Sequence, residues 1–326
     1  MSNHANVSVF VPHIGCPHKC SFCNQNTITG STHIPHVSDV VSACETAIKS
    51  GAILSDTEIA FFGGSFTAVP KAYSTELLEA AKPYVDMGFK GIRLSTRPDC
   101  ITEEILRTLK SYGVTTIELG AQSMDDDVLL ANERGHTAYD VVKASGMIKS
   151  FGFALGLQMM VGLYKSTKEK DIETAKRLID LCPDEVRIYP TVVLQNTRLG
   201  ELYVSKEYKT YDIEEAVELC AELLDMFEEK GIRVIKLGLH SSQDVEGSML
   251  GGIYHPAFRE LCESERYRRL MLSMMTDRSE YTFSVRPSCA SKVIGQRRKN
   301  IDYFRSKGID IRIVQDATQS DDIKLV

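Results

Sequence analysis

Short apolar runs alternate with amphipathic stretches along the first 240 residues. Residues 7–14 predict a strand, and Ser38 an N-cap for a helix through Ser50. Residues 58–62 predict a second strand ending in Gly63-Gly64, followed by a helix over 71–85. Residues 91–95 form a third strand, and Thr102 caps a helix that Gly113 closes. A fourth strand at 115–119 leads into helical segments at 125–131 and 137–151. A fifth strand at 153–161, a helix at 168–182 and a sixth strand at 185–189 complete the series. Strand–helix alternation of this kind predicts a parallel sheet. The expected fold is α/β, a partial (β/α)6 TIM-like barrel open on one side.

The rhythm changes after Thr191. Residues 191–210 predict a long connection, 213–230 a strong amphipathic helix, and 232–237 a further strand. Residues 238–256 are rich in Gly and Ser and read as a linker or active-site loop. Beyond Pro256 the pattern gives a helix, a strand at 281–285, a helix at 290–307 and a strand at 310–314. The polar tail is expected to fray. This divides the chain into a barrel over 1–240 and a small C-terminal α+β extension over 241–326.

Composition narrows the class. The chain is 43% hydrophobic and 25% charged, as in soluble globular proteins. No run approaches the ~20 apolar residues of a membrane span, and residues 1–10 lack the regions of a signal peptide. Nine cysteines, an odd number with three clustered, argue against a secreted disulfide framework and for a reducing cytoplasm.

The clustered cysteines are Cys16, Cys20 and Cys23, in a C-x3-C-x2-C stretch within the loop at 15–30. Three thiolates so close can converge on one metal centre. On a [4Fe-4S] cluster they leave one iron without a protein ligand, and an open metal position marks a reactive site. Phe22 gives the loop an aromatic face. A zinc site completed by His18 or His13 fits the triad equally well.

Further unusual residues fall at predicted strand ends, where parallel α/β barrels bind ligands. Gly63, Gly64, Ser65 and Phe66 follow the second strand. Ser95 to Asp99 follow the third, with Arg97 and Asp99 expected to form a salt-bridged turn. Glu118 is a charge inside an apolar strand and needs a partner. Gln122 and Ser123 stand at the same strand's mouth, and Arg134 suits a carboxylate. Gln158 is polar within the fifth strand, which ends at Val161-Gly162.

In order, PHIGCPHKCSFCN, FFGGSF, STRPD, ELGAQS, RGH and MMVGL resemble the radical S-adenosylmethionine (SAM) domain of the Elongator catalytic subunit family. IYPTVVLQNTRLGELY continues the likeness, which covers residues 7–240. The resemblance implies that Cys16, Cys20 and Cys23 bind a [4Fe-4S] cluster whose open iron chelates SAM. Reductive cleavage then gives a 5′-deoxyadenosyl radical that takes a hydrogen atom from the substrate. It implies that the backbone of Gly63–Phe66 meets the methionine amino group, and that Gln122 and Arg134 hold the ribose and carboxylate. Phe22, Val161 and Gly162 are placed near adenine. It further implies a one-electron donor such as flavodoxin or ferredoxin. Ser95 replaces a family Glu expected on the ribose hydroxyls, a weaker contact. Phe10 replaces a Tyr of the coproporphyrinogen-oxidase branch, against haem synthesis. The sequence is expected to lack the Elongator acetyltransferase domain.

Net charge is −6, unevenly spread. Residues 255–315 hold 13 Lys or Arg against 7 Asp or Glu, so this end is +6 and the remainder −12. Tyr254, Tyr267, Tyr281 and Tyr303 interleave with the cations. Cations give phosphate affinity and aromatics stack bases, which makes tRNA the expected partner and a tRNA nucleoside the expected substrate. A solvated helical surface explains the same charges. Radical chemistry on a small molecule or protein is the alternative substrate class. A zinc-stabilised RNA-binding protein would be colourless without SAM affinity, and an iron–sulfur carrier would be coloured without cleaving SAM. Of the other cysteines, Cys289 is a candidate thiol and the rest read as buried apolar residues.

Overall fold

A computed structural model describes residues 5–12, 20–24, 33–239 and 243–326. Seven parallel strands form one open sheet that curls into a half-barrel: β1 (Ala5–Val11), β2 (Thr57–Gly63), β3 (Gly91–Thr96), β4 (Val114–Gln122), β5 (Ala154–Val161), β6 (Glu185–Pro190) and β8 (Arg233–Leu237). The sequence pattern counted six units. The seventh comes from Arg233–Leu237, which pairs in parallel with β6.

The intervening helices are α1 (Val37–Lys49), α2 (Lys71–Met87), α3 (Glu103–Ser111), α4 (Asp126–Ala131), α5 (Ala138–Ser150), α6 (Lys168–Asp180), α7 (Arg198–Val204) and α8 (Ile213–Glu229). Their starts are written locally. Thr137 and Asp140 form a capping box for α5, and Asp212 and Glu215 one for α8, satisfying N–H groups that a helix end leaves open. The first helix begins one residue before the expected Ser38 cap. His36 caps it, with the Asp39 carboxylate accepting the His36 N–H at 2.7 Å.

Two stretches read as irregular carry structure. Residues 191–210 contain β7 (Val192–Leu194) and α7. Residues 243–252 contain α9 (Gln243–Ser248) and β9 (Met249–Gly252), and β9 pairs antiparallel with β7. Such short pieces hold too few residues for a periodicity to register.

The C-terminal part follows with α10 (Phe258–Met274), β10 (Glu280–Val285), α11 (Ala290–Ile294), α12 (Lys299–Ser306), β11 (Asp310–Gln315) and β12 (Ile323–Leu325). Its three-stranded sheet is ordered β11-β10-β12. Phe283, Val285, Val293 and Phe304 form an apolar cluster separate from the barrel core. The expected single helix over 290–307 is broken at residues 295–298. The polar tail does not fray at its end. β12 pairs antiparallel with β10, and Asp322 is ion-paired with Arg286 and accepts from Tyr267 at 2.9 Å. Among the described residues, no helix is long and apolar enough to cross a membrane.

Candidate active site at the strand ends

Cys20 and Cys23 share one turn, the Cys23 N–H donating to the Cys20 carbonyl at 3.0 Å. Both are partly exposed. Cys16, with His13 and His18, lies outside the described residues. Ser21, between the cysteines, is anchored on two sides. Its N–H and hydroxyl donate to the Asn132 carbonyl (3.1 Å) and Oδ1 (2.8 Å), and its carbonyl accepts from Leu199 at 2.7 Å. Asn132 is fully buried and donates onward to Val128 and Tyr164 carbonyls. Neither residue stood out in the sequence, where Ser and Asn in a loop carry no signal. Phe22 packs against Val193, Leu199, Leu202 and Tyr208, with the Arg134 guanidinium 5.9 Å from its ring centre.

The end of β4 faces this turn. Pairing with β5 shifts register between Gly120 and Gln122, and Gln122 takes a left-handed φ of 66°. Arg134 donates to Cys20 Sγ at 2.9 Å and to the Gly120 carbonyl at 2.6 Å. A Cβ on Gly120 would sit 2.9 Å from the Gln122 amide and 3.4 Å from Arg134. Glycine therefore keeps the two side chains in place. His136 contacts the Ala121 carbonyl at 3.2 Å. Burial, reinforced by Arg134, lowers its pKa to about 4, so the ring is neutral at neutral pH. Three buried atoms in this group have no hydrogen-bond partner among the described residues: Gln122 Oε1, Arg134 Nε and His136 Nδ1. Ser123, expected at the same mouth, is engaged elsewhere. Its hydroxyl accepts from the Asp125 N–H at 3.1 Å and meets Thr174 Oγ1 at 3.3 Å.

At the end of β2, Gly63 has φ 111°, and a Cβ there would lie 2.5 Å from the Val11 carbonyl. Gly64 donates to that carbonyl at 2.7 Å. The glycine pair thus lies flat against the strand that leads into the cysteine loop. Ser65 Oγ meets Thr96 Oγ1 at 2.8 Å and accepts the Arg97 N–H at 3.1 Å. Phe66 is core, stacked on Phe61 with centroids 4.8 Å apart. Arg97 and Asp99 form the expected salt-bridged turn through two 2.9 Å bonds.

Inside the half-barrel, Gln158 donates to Ser95 Oγ (3.3 Å) and to Glu118 (3.0 Å). Glu118 accepts both arms of Arg187, at 2.5 and 2.9 Å. Below it, buried Arg93 is ion-paired with Glu58 (3.1 Å), Glu118 (3.3 Å) and Glu185. Burial raises the Glu185 pKa against the opposing pull of Arg93. The need of Glu118 for a partner was legible in sequence. Arg93 and Arg187 were not singled out, although each is a charge inside an apolar strand.

At the end of β5, the Val161 carbonyl accepts from Thr191 twice, at 2.9 and 2.8 Å. Gly162 (φ 76°) donates to Asp171 at 2.9 Å, and its carbonyl accepts from Tyr208. Asp171 is buried, with no cation paired to it among the described residues. It accepts from Ser166 at 2.6 Å and from Tyr211 at 3.4 Å, and burial pushes its pKa up to about 7. In sequence it looks like an ordinary acid in a helix's first turn.

Residues 10–178 match the Radical SAM superfamily, and residues 183–268 match the Radical_SAM C-terminal domain. The chain is 28% identical over 240 residues to the tRNA uridine(34) acetyltransferase of Dehalococcoides mccartyi, covering 63% of this chain and 52% of that protein. It is 32% identical over 196 residues to Elongator complex protein 3 of Homo sapiens, covering 53% and 36%. It therefore spans about half, or about a third, of these relatives' length. The fold is similar to that of archaeal Methanocaldococcus infernus Elp3 with an N-terminal deletion. The TM-score is 0.65 at 22% identity, covering 82% of this chain and 64% of the other.

Proposed function

This chain belongs to the radical SAM superfamily of enzymes, and we propose that it reductively cleaves SAM and abstracts hydrogen from a nucleoside of tRNA. The buried atoms beside Cys20 that lack a partner among the described residues carry this reading: Gln122 Oε1, Arg134 Nε and His136 Nδ1. Each such atom costs on the order of 1–3 kcal/mol when left dry. An acceptor, a charged donor and a neutral ring nitrogen together fit a ligand that presents amino, carboxylate and hydroxyl groups. The thiols of Cys20 and Cys23, in one turn, fit two ligands of a cluster, with Cys16 as the third. When bound, the cluster and SAM supply the electron and the adenosyl radical chemistry of the family.

The chain's own residues provide the rest. Arg134 orients a carboxylate with its planar fork. Gly120, lacking a side chain, leaves room for Arg134 and Gln122. The Gly63–Phe66 backbone is assigned to the amino group. Ser95 and Gln158, bridged to Glu118, are assigned to the ribose hydroxyls, and Val161 and Gly162 to adenine. Asp171 and Tyr208 hold Gly162 from both sides. Ser123 sets the turn into α4 behind them. The half-barrel orients the reactants and excludes water. The names of the relatives, a tRNA uridine acetyltransferase and an Elongator subunit, support tRNA as the substrate class. Reducing equivalents would come from flavodoxin or ferredoxin.

The test is anaerobic. Reconstituted protein is given SAM and dithionite, with and without bulk tRNA, and 5′-deoxyadenosine is quantified. Cleavage stimulated by tRNA is expected. Cleavage indifferent to tRNA would overturn the substrate class, and absence of cleavage by protein with an intact cluster would overturn the activity.

A further inference from the structure

The basic C-terminal end is mostly neutralised within the fold. Arg266 is ion-paired with Asp225 and Glu228 of α8, and Arg268 and Arg269 with Glu265. Arg259 and Lys292 share Glu263, and Arg286 pairs with Asp322. The tyrosines expected to stack on bases are also engaged. Arg268 lies 4.3 Å over the Tyr303 ring, Tyr281 is buried, and Tyr267 donates to Asp322.

Arg297 and Arg298 differ. They are adjacent and exposed, with no ion-pair partner among the described residues. Both take left-handed backbone, φ 51° and 66°, where a side chain is disfavoured and glycine is the usual choice. The turn beneath them is built. Gly295 is buried at φ 79°, and a Cβ there would lie 2.9 Å from Ser264 Oγ. Buried Asn300 donates to the Ser264 carbonyl (2.9 Å), Ser264 Oγ (3.0 Å) and the Val293 carbonyl (3.0 Å). The side chain of one asparagine thus ties the turn to α10 and α11, so that the two guanidinium groups project from a fixed base.

We propose that Arg297 and Arg298 form a phosphate-binding turn that grips the sugar–phosphate backbone of an RNA substrate. This rests on the tRNA reading above and deepens it. Arginine's fork matches phosphate oxygens in pairs. With the neighbouring tyrosines occupied, the contact reads charge and not bases, so it is indifferent to sequence.

The experiment uses the full reconstituted chain and fluorescence anisotropy over a range of KCl concentrations. The probes are an unmodified tRNA, an RNA of equal length and scrambled sequence, and polyglutamate. The variant R297A/R298A is expected to bind both RNAs about tenfold more weakly. Its salt slope should fall by about 1.4–1.8, since each lost phosphate contact removes about 0.7–0.9. K49A/K82A makes the same charge change on α1 and α2 and is expected to bind as wild type does. Asn300→Ala keeps both arginines but loosens the turn, and should give an intermediate loss. Tight RNA binding by R297A/R298A with an unchanged slope would overturn the proposal. So would an equal loss in K49A/K82A, or a loss confined to polyglutamate, which would assign the turn to an acidic protein. Failure of wild type to bind either RNA would sink the tRNA reading itself.

Discussion

Two buried polar groups inside the half-barrel invite comparison. On the barrel floor, Arg93 faces Glu58, Glu118 and Glu185, and Arg187 faces Glu118. Every charge there meets an opposite one. At the end of β4, Arg134 bonds Cys20 and Gly120, yet among the described residues its Nε and its neighbours Gln122 Oε1 and His136 Nδ1 have no partners. Both groups are deeply buried. The closed network completes the fold, because removing charges from water is costly unless they are paired. The open one pairs Arg134 with no carboxylate among the described residues, a pattern that fits a ligand site. Burial of polar residues alone does not separate structure from function, and neither does an unmade hydrogen bond, since Arg93 Nε and Nη1 also make none among the described residues; what separates the groups is that Arg93 faces carboxylates.

The comparison can be broken in four places. Cys20→Ala should abolish both iron incorporation and SAM cleavage, measured by iron content and 5′-deoxyadenosine, and retained cleavage would refute the site. Arg93→Met removes the shared cation of the closed group. It should destabilise by about 3–5 kcal/mol, read from denaturant midpoints. Asp171 belongs to neither group and offers a pH test. Its carboxyl is raised from 3.8 to about 7 in the fold, so its contribution to stability is present below about pH 4 and is lost as pH rises through 7. Relative to Asp171→Asn, wild type should lose on the order of 4 kcal/mol across that window; parallel pH–stability curves would contradict it. Arg134→Gln should weaken SAM binding about 10- to 100-fold, the equivalent of about 1–3 kcal/mol.

Much of this was legible in the chain itself. Strand–helix alternation gave the parallel sheet, and the cysteine spacing, the Gly63-Gly64 pair and Arg134 marked the strand ends. These signals are local. What escaped depends on contacts between distant residues. Arg93 meets Glu185 across 92 positions, and the acids that neutralise Arg266 lie on α8. The basic end therefore looked like a broad nucleic-acid surface, while in the folded chain Arg297 and Arg298 are adjacent and have no ion-pair partner among the described residues. Asp171 escaped because first-turn acids are ordinarily solvated, whereas Tyr208, Tyr211 and the Gly162 loop bury this one.

The most direct measurement is SAM affinity and unfolding free energy on the same two reconstituted variants, Arg134→Gln and Arg93→Met. The expected result is a split. Arg134→Gln loses SAM affinity at nearly wild-type stability, and Arg93→Met loses stability while its folded fraction binds SAM as wild type does. Wild-type affinity in Arg134→Gln, or a loss of affinity in folded Arg93→Met as large as its own, would contradict the assignment of the open group to the cofactor.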